Sequence, residues 1–310
     1  MIDGTGIRVR SYRTADLDKY VRLLYEVEKA EPMGRCVSRR FVAEQLIRPN
    51  YCPEQDLYVA ETDDDIVGYV DIEKELAIGR VILDCRVHPN YRRRGVAAGL
   101  LDGAMNRARA LEARVAHVNI REDNLAARRT LSRFGFRFAR RFLELGMEIG
   151  FAGEPDLDPS VAECRYLRMG EEGKLTGLQN SAFEGTWGFN PNTIEQVTFR
   201  VNAGNGSHRD IVLIREEDEA VGYCWTGMSC EATMPSLRKG RILMLGVDPH
   251  HRGKGIGRRL MMAGLARLRS KGIRTAELTV DSENKAARAL YESLGFEVQG
   301  GILWYEKAVC

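Results

Sequence analysis

Apolar and small residues recur at Ala97, Leu100, Leu101, Ala104, Met105 and Ala108, and again 160 positions later at Gly257, Leu260, Met261, Gly264, Leu265 and Leu268. The i, i+3, i+4, i+7, i+8, i+11 spacing is one face of a helix, and it predicts two amphipathic helices laid on sheets. A β-branched stretch precedes each helix, predicted as a fourth strand (81–87 and 241–247) ending in Val-x-Pro. A fifth strand follows each helix, at 115–120 and 276–280. The offset of 160 also relates Asn124-Leu-Ala-Ala127 to Asn284-Lys-Ala-Ala287, and Phe134-Gly-Phe136 to Leu294-Gly-Phe296. Upstream, Asp56-Leu-Tyr-Val-Ala60 and Ile66-Val-Gly-Tyr69 match Asp210-Ile-Val-Leu-Ile214 and Ala220-Val-Gly-Tyr223 at an offset of 154. The second copy therefore has a longer loop before its fourth strand, within Ser229 to Lys239.

Each half reads strand, helix pair, strand hairpin, strand, helix, strand, short helix, strand. A repeat of this length is a duplicated domain and not a solenoid unit. The predicted class is α/β, a mixed sheet with helices, in two domains of about 150 residues each. Phe151 to Ser160 carries Gly153, Pro155 and Pro159 among acidic residues and shows no periodicity, which places domains at 1–152 and 160–310.

Charge and composition exclude several roles. A net charge of +2 gives no reason to expect a nucleic-acid partner, and Arg92 to Arg94 is too short a basic run to supply one. No apolar run approaches about 18 residues and Met1 to Arg10 is polar, so the expectation is a cytoplasmic protein without a membrane partner. The seven cysteines (Cys36, Cys52, Cys85, Cys164, Cys224, Cys230, Cys310) form no C-x-x-C, which suggests reduced thiols. His250-His251 has no carboxylate or cysteine at ligand spacing in sequence, so no metal site is expected. Oligomeric state is not legible.

The chemistry lies between the fourth strands and the helices. Arg92-Arg93-Arg94-Gly95-Val96-Ala97 and Arg252-Gly253-Lys254-Gly255-Ile256-Gly257 are basic turns with glycines at a helix N-terminus. Exposed backbone N–H groups, a helix dipole and the close approach glycine permits together suit a phosphate. Neither turn is a G-x-x-x-x-G-K-[ST] loop, since no Ser or Thr follows Lys254. Nor is Gly253/Gly255/Gly257 the G-x-G-x-x-G spacing of dinucleotide folds, and Glu277 comes at the beginning of the predicted fifth strand, before residues 278–280, where an acid should end it.

The pattern Arg-x-x-Gly-x-Gly/Ala after a strand, with Asn-x-x-Ala and Gly-Phe downstream, resembles the acyl-CoA loop of the GNAT N-acetyltransferase superfamily, in both halves. The resemblance implies acetyl-CoA as cofactor, with its pyrophosphate on the turns 92–97 and 252–257. It implies pantetheine against the main chain of Cys85, Arg86, Val87 and of Leu245, Gly246, Val247, beside the helices that open at Asn124 and Asn284. In this superfamily a tyrosine on that second helix often assists the departing thiolate. Tyr291 stands seven residues after Asn284, and Leu131 stands seven after Asn124. The C-terminal copy is therefore expected to be catalytic and the N-terminal copy CoA-binding or structural. Glu231 and Asp281 are candidate general bases by topology.

All three tryptophans (Trp187, Trp225, Trp304) fall in the second half, and with Tyr223, Phe183 and Phe189 they suggest an aromatic acceptor pocket there. The tandem layout is similar to that of the mycothiol synthase family, which acetylates a cysteinyl amine. That family has an acid at the start of the C-terminal fourth strand, whereas this chain has Arg241. The expected activity is acetyl transfer to a small-molecule primary amine by direct attack. The alternatives are a non-catalytic CoA-binding scaffold, or an N-acetyltransferase acting on proteins or peptides.

Overall fold

The computed structural model describes residues 6–35, 37–150, 164–204, 206–217, 219–228 and 239–310. They form two compact units, residues 1–141 with 301–310, and residues 142–300.

In the first unit the sheet runs β1 (Arg8–Ser11), β2 (Leu57–Glu61), β3 (Ile66–Glu75), β4 (Arg80–Val87), β5 (Val115–Arg121) and then residues 302–308 of β12 (Glu297–Ala308). The pair β4–β5 is parallel, and the other neighbours are antiparallel. One face carries α1 (Leu17–Ala30) and α2 (Arg39–Leu46) over a cluster that includes Leu23, Val27, Leu57 and Tyr69, and the one-turn α3 (Pro53–Asp56) leads into β2. The other carries α4 (Val96–Ala110) over Val70, Ile72, Val81 and Leu83, with α5 (Leu125–Arg133) adding Leu131.

The second unit repeats this plan. Its sheet runs β7 (Cys164–Tyr166), β8 (Ile211–Glu216), β9 (Glu219–Met228), β10 (Gly240–Val247), β11 (Thr275–Asp281) and residues 142–148 of β6 (Arg137–Glu148). Helices α6 (Glu172–Phe183) and α7 (Ile194–Asn202) cover one face, and α8 (Ile256–Ser270) covers the other, with α9 (Lys285–Ser293) beyond it. Among the described residues, no helix is long and apolar enough to cross a membrane.

The predicted helix faces are found, shifted by one residue at their start. Val96 and Ile256 are buried, while Ala97 and Gly257 are only partly so. Gly68 and Gly222 explain how closely each helix lies on its sheet. A Cβ on Gly222 would stand 2.7 Å from Leu260, and one on Gly68 would stand 3.1 Å from Leu100.

The units do not divide where the sequence suggested. The linker itself lies largely outside the described residues, but packing assigns 142–150 to the second unit and 301–310 to the first. Residues 142–148 pair with β11, and residues 302–308 pair with β5. The two copies thus exchange their last strands. Duplicated sheets offer equivalent edges, so a final strand finds the same backbone geometry in either copy. Side-chain alternation fixes which face each strand buries: Leu143 and Leu145 lie in the second core, and Leu303 and Tyr305 in the first. Trp304 is therefore a residue of the first unit, in edge-to-face contact with His117 at 6.1 Å, and not part of a C-terminal aromatic pocket.

Each unit opens with an ion pair that the sequence reading did not isolate. Arg10 Nη1 meets Asp16 at 2.6 Å, and Arg165 Nη1 meets Glu171 at 2.7 Å, tying the first strand to the start of the first helix. The Glu171 carboxyl is held down to about 2, chiefly by the hydrogen bonds from Arg165. A folded value below the unfolded one means that this stabilisation is complete above the unfolded range, near pH 4.3, and is lost as pH falls towards 2.

Two outcomes are expected. Acid unfolding of Glu171→Gln should begin from a lower stability at pH 6 and show a shallower loss between about pH 4 and 2 than the wild type, by denaturant titration at each pH. Ending the chain at Gly300 should deprotect the β5 amides to hydrogen exchange and leave those of β10 protected, while uniform loss of protection in both would contradict the exchange.

Candidate functional site

The site in each unit begins where two parallel strands stop pairing. β10 meets β11 only at Gly240–Ala276, Arg241–Glu277 and Ile242–Leu278, and β4 meets β5 only at Arg80–Val115, Val81–Ala116 and Ile82–His117. Beyond these rungs residues 243–247 and 83–87 keep partners on β9 or β3 alone, apart from the bulged Leu243. One edge of each strand is left with backbone donors and acceptors able to take an extended ligand as an added strand. Cys85, Arg86, Val87 and Leu245, Gly246, Val247 lie in these edges, as expected. In the second unit the register shifts between Ile242 and Met244, a bulge that leaves Leu243 53% exposed, and β4 has no counterpart.

The strand ends lead into the turns. Gly253 and Gly255 have φ of 79° and 77°, and Gly255 caps α8 without any side-chain hydrogen bond. The N–H groups of Gly253, Lys254, Gly255, Ile256 and Gly257 donate to no acceptor among the described residues. A Cβ built on Gly253 or Gly255 would meet nothing within 4 Å, so open space lies over the glycines. Donors, dipole and room match a diphosphate. The first unit matches it with a difference. Gly95 has φ of 81°, but Arg93 holds a left-handed φ of 61° where the second unit has Gly253. That conformation costs a non-glycine residue about 1 kcal/mol.

The leading arginines do not reach outward. Arg252 donates from Nη2 to Ala182 O at 2.8 Å and from Nε to Val247 O at 3.3 Å. Arg92 donates to Val87 O and pairs with Glu31 at 2.8 Å. They brace the turns against the strand end and the first-helix region, leaving Lys254 in the second unit and Arg93 and Arg94 in the first as exposed cations. Arg94 stacks over Tyr91 at 5.3 Å. Lys254 lies 3.7 Å from Glu216. Asn124 and Asn284 are helix N-caps, accepting from Ala127 N at 3.0 Å and Ala287 N at 3.1 Å. The Asn-x-x-Ala pattern is thus explained by capping. Asp281 plays a similar local part, accepting from Glu283 N at 3.0 Å. Glu231 lies outside the described residues.

His251 has more acidic company than its sequence neighbours suggested. Asp248 Oδ1 lies 3.3 Å from Nδ1 and Glu216 Oε2 lies 3.4 Å from Nε2. Asp248 also accepts from His250 N and Ser181 Oγ. Burial opposes its ionisation, but these hydrogen bonds outweigh that and hold its carboxyl below the usual range. The group fixes the turn that follows β10.

Tyr291 and Leu131 occupy equivalent places in the two units. Both are buried at the same position of α9 and α5. Helix α9 stands against the first turn of α8, where a Cβ on Gly257 would lie 3.4 Å from Leu290 and Arg258 Nη1 donates to Ser293 Oγ at 3.2 Å. Burial pushes the Tyr291 phenol well above its ordinary value, with a smaller push from Cys224. Burial likewise pushes the thiols of Cys85 and Cys224 up to about 12, so both remain protonated at neutral pH and neither is a ready nucleophile.

The sequence reading named Tyr223 and Trp225 but missed their partners and the counterpart face of the first unit. In the second unit Tyr223 and Trp225 on β9 are joined by Met244 on β10 and by Gln179 on α6, which is fully buried. Gln179 Nε2 approaches Met244 Sδ at 3.6 Å. In the first unit the register-equivalent residues of Trp225 and Met244 are Asp71 and Asp84. A charged residue in mid-strand, two positions from a buried tyrosine, was the available signal.

Substituting Gly255→Glu would strain the backbone and set an acid where the turn favours an anion. The expected result is at least tenfold weaker coenzyme A binding by calorimetry, with Gly95→Glu affecting only a separate site. Unaltered binding in Gly255→Glu would remove this turn from the site.

Comparison with known proteins agrees with this geometry. The model of the acetyltransferase (GNAT) family matches twice, at residues 22–136 and 174–296. The mycothiol acetyltransferase of Saccharopolyspora erythraea is 26% identical over 299 residues, covering 88% of this chain and 96% of that protein. Its namesake in Amycolatopsis mediterranei is 31% identical over 244 residues, covering 77% and 79%. A GCN5-related N-acetyltransferase from Sphaerobacter thermophilus superposes with a TM-score of 0.72 at 21% identity, over 98% of this chain and 96% of that one. A tandem GNAT protein of the clavulanic acid pathway superposes at 0.71 with 16% identity, over 98% and 99%. The chain belongs to the acetyltransferase (GNAT) family, carries its fold twice, and is an acetyl-CoA-dependent N-acetyltransferase.

Proposed function

We propose that the second unit transfers the acetyl group to a primary amine of a small molecule by direct attack, and that the first unit is not the seat of this reaction. The observation that carries the reading is Tyr291, a buried phenol at the position where the first unit has Leu131. When bound, acetyl-CoA supplies an activated acetyl thioester. The residues that would hold it are the donors of 253–257 and the free edge of 245–247.

The Tyr291 phenol keeps its proton. A free phenol titrates near 10 and a thiol near 8.5, so complete proton transfer to sulfur is uphill by about 2 kcal/mol even before burial. Burial raises the phenol further. Its proposed part is to donate from Oη a hydrogen bond that strengthens as negative charge develops on the leaving sulfur. A leucine has nothing to donate.

The acceptor face supports an amine delivered in neutral form. Tyr223, Trp225, Met244 and Gln179 carry no charge, and a desolvated face disfavours ammonium relative to amine. Asp281, at the end of β11, and Glu231 are the proposed acceptors of the amine's proton. The names of the relatives support a mycothiol precursor as acceptor. Arg241 at the start of β10 stands where the mycothiol synthase pattern has an acid, which favours an acceptor with a different charge there.

Tyr291→Phe should lower kcat by about 10- to 1000-fold with KM for acetyl-CoA nearly unchanged, measured as thiol release with a panel of primary amines. Equal turnover in the variant removes Tyr291 from the reaction. Thiol release on added polypeptides alone would shift the acceptor to protein amines.

A further inference from the structure

The charged face of the first unit is not demanded by the fold. Asp71 on β3 and Asp84 on β4 are directly opposite one another in the register. Side chains so placed have Cβ atoms about 5 Å apart, and like charges there destabilise. Each carboxylate is matched by its own guanidinium. Arg48 Nη2 meets Asp71 at 2.6 Å, and Arg35 Nη1 meets Asp84 at 2.5 Å. Tyr69 Oη donates to Asp84 at 2.8 Å, and Arg86 Nε adds a contact at 3.1 Å. Paired ions withdrawn from water recover little net stability, and apolar residues of similar volume usually serve as well. The second unit shows this directly, since Trp225 and Met244 occupy the same opposed positions.

A second observation points into the cluster. Tyr20 of α1 is 5% exposed and packs edge-on against Tyr69 at 5.4 Å. Its hydroxyl makes no hydrogen bond among the described residues, although the charges of Asp71, Asp84, Arg48 and Arg35 all act on it. A hydroxyl set among these four charges without a protein partner is open to a ligand's hydrogen bond. The two acids are also unequally satisfied. Burial pushes Asp71 up to about 6 against the pull of Arg48, whereas Arg35 and Arg86 outweigh burial at Asp84 and hold it well below the carboxylate range.

We propose that this cluster is a binding site for a free α-amino acid, with its ammonium on Asp71 and Asp84 and its carboxylate on Arg35 and Arg48. The cluster presents two ion pairs side by side, and a short zwitterion can enter between them with every charge matched. A simple amine would leave both guanidiniums without their full complement, and a simple acid would do the same to both carboxylates. Tyr20 Oη supplies the remaining hydrogen bond. The site is independent of where acetyl transfer takes place, so its failure leaves the Tyr291 reading untouched.

The test uses the full chain and each standard free α-amino acid in turn, by thermal shift and calorimetry. At least one should raise the melting temperature and bind with measurable heat, and its decarboxylated amine and deaminated acid should each bind at least tenfold more weakly. Tyr20→Phe, which keeps the ring and its packing, should weaken binding about threefold to tenfold, and Asp84→Asn by more than tenfold. If no amino acid in the set binds, if binding is unaltered in both variants, or if the bare amine binds as tightly as the amino acid, the proposal is overturned.

Discussion

The parting of parallel strands after three rungs is the constraint on which the rest depends. An unpaired strand edge inside a fold is a liability unless something covers it. Here a helix N-terminus with N–H groups that meet no acceptor among the described residues stands at the end of that edge. The arginine that opens each turn bonds back to the strand-end carbonyl, so the donors face outward from a braced loop.

The same scaffold carries different chemistry in its two copies. The second unit combines a wholly glycine-permitted turn, a bulged fourth strand, an uncharged face opposite the turn and a buried phenol. The first combines an arginine in a left-handed conformation, a continuous fourth strand, two opposed ion pairs and a leucine. Duplication lets the two copies change their side chains independently, because each sheet has its own core.

Much of the site was legible because it is local. Glycines at 253, 255 and 257, the Val-x-Pro stop and the helical stripe lie within one stretch of chain, where spacing alone fixes geometry. The tyrosine contrast was legible for the same reason, through a repeat offset that held from the turn to the Gly-Phe pair. The Asn-x-x-Ala pattern was visible too, although capping is the part the structure gives it. Arg10–Asp16 and Arg165–Glu171 were equally close in sequence, and were passed over because two charges six residues apart match no regular period.

By itself the sequence determined the duplication, the fold class, the two turns and the contrast of Tyr291 with Leu131, since each of these is written in periodicity or in contiguous motifs. Only the tertiary structure decided which last strand completes which sheet, because residues 142–148 and 302–308 are both alternating strands able to pair with either edge, and the choice rests on cores assembled from distant segments. It alone set Asp71 opposite Asp84 and Trp225 opposite Met244. Cross-strand register joins residues that no local spacing relates.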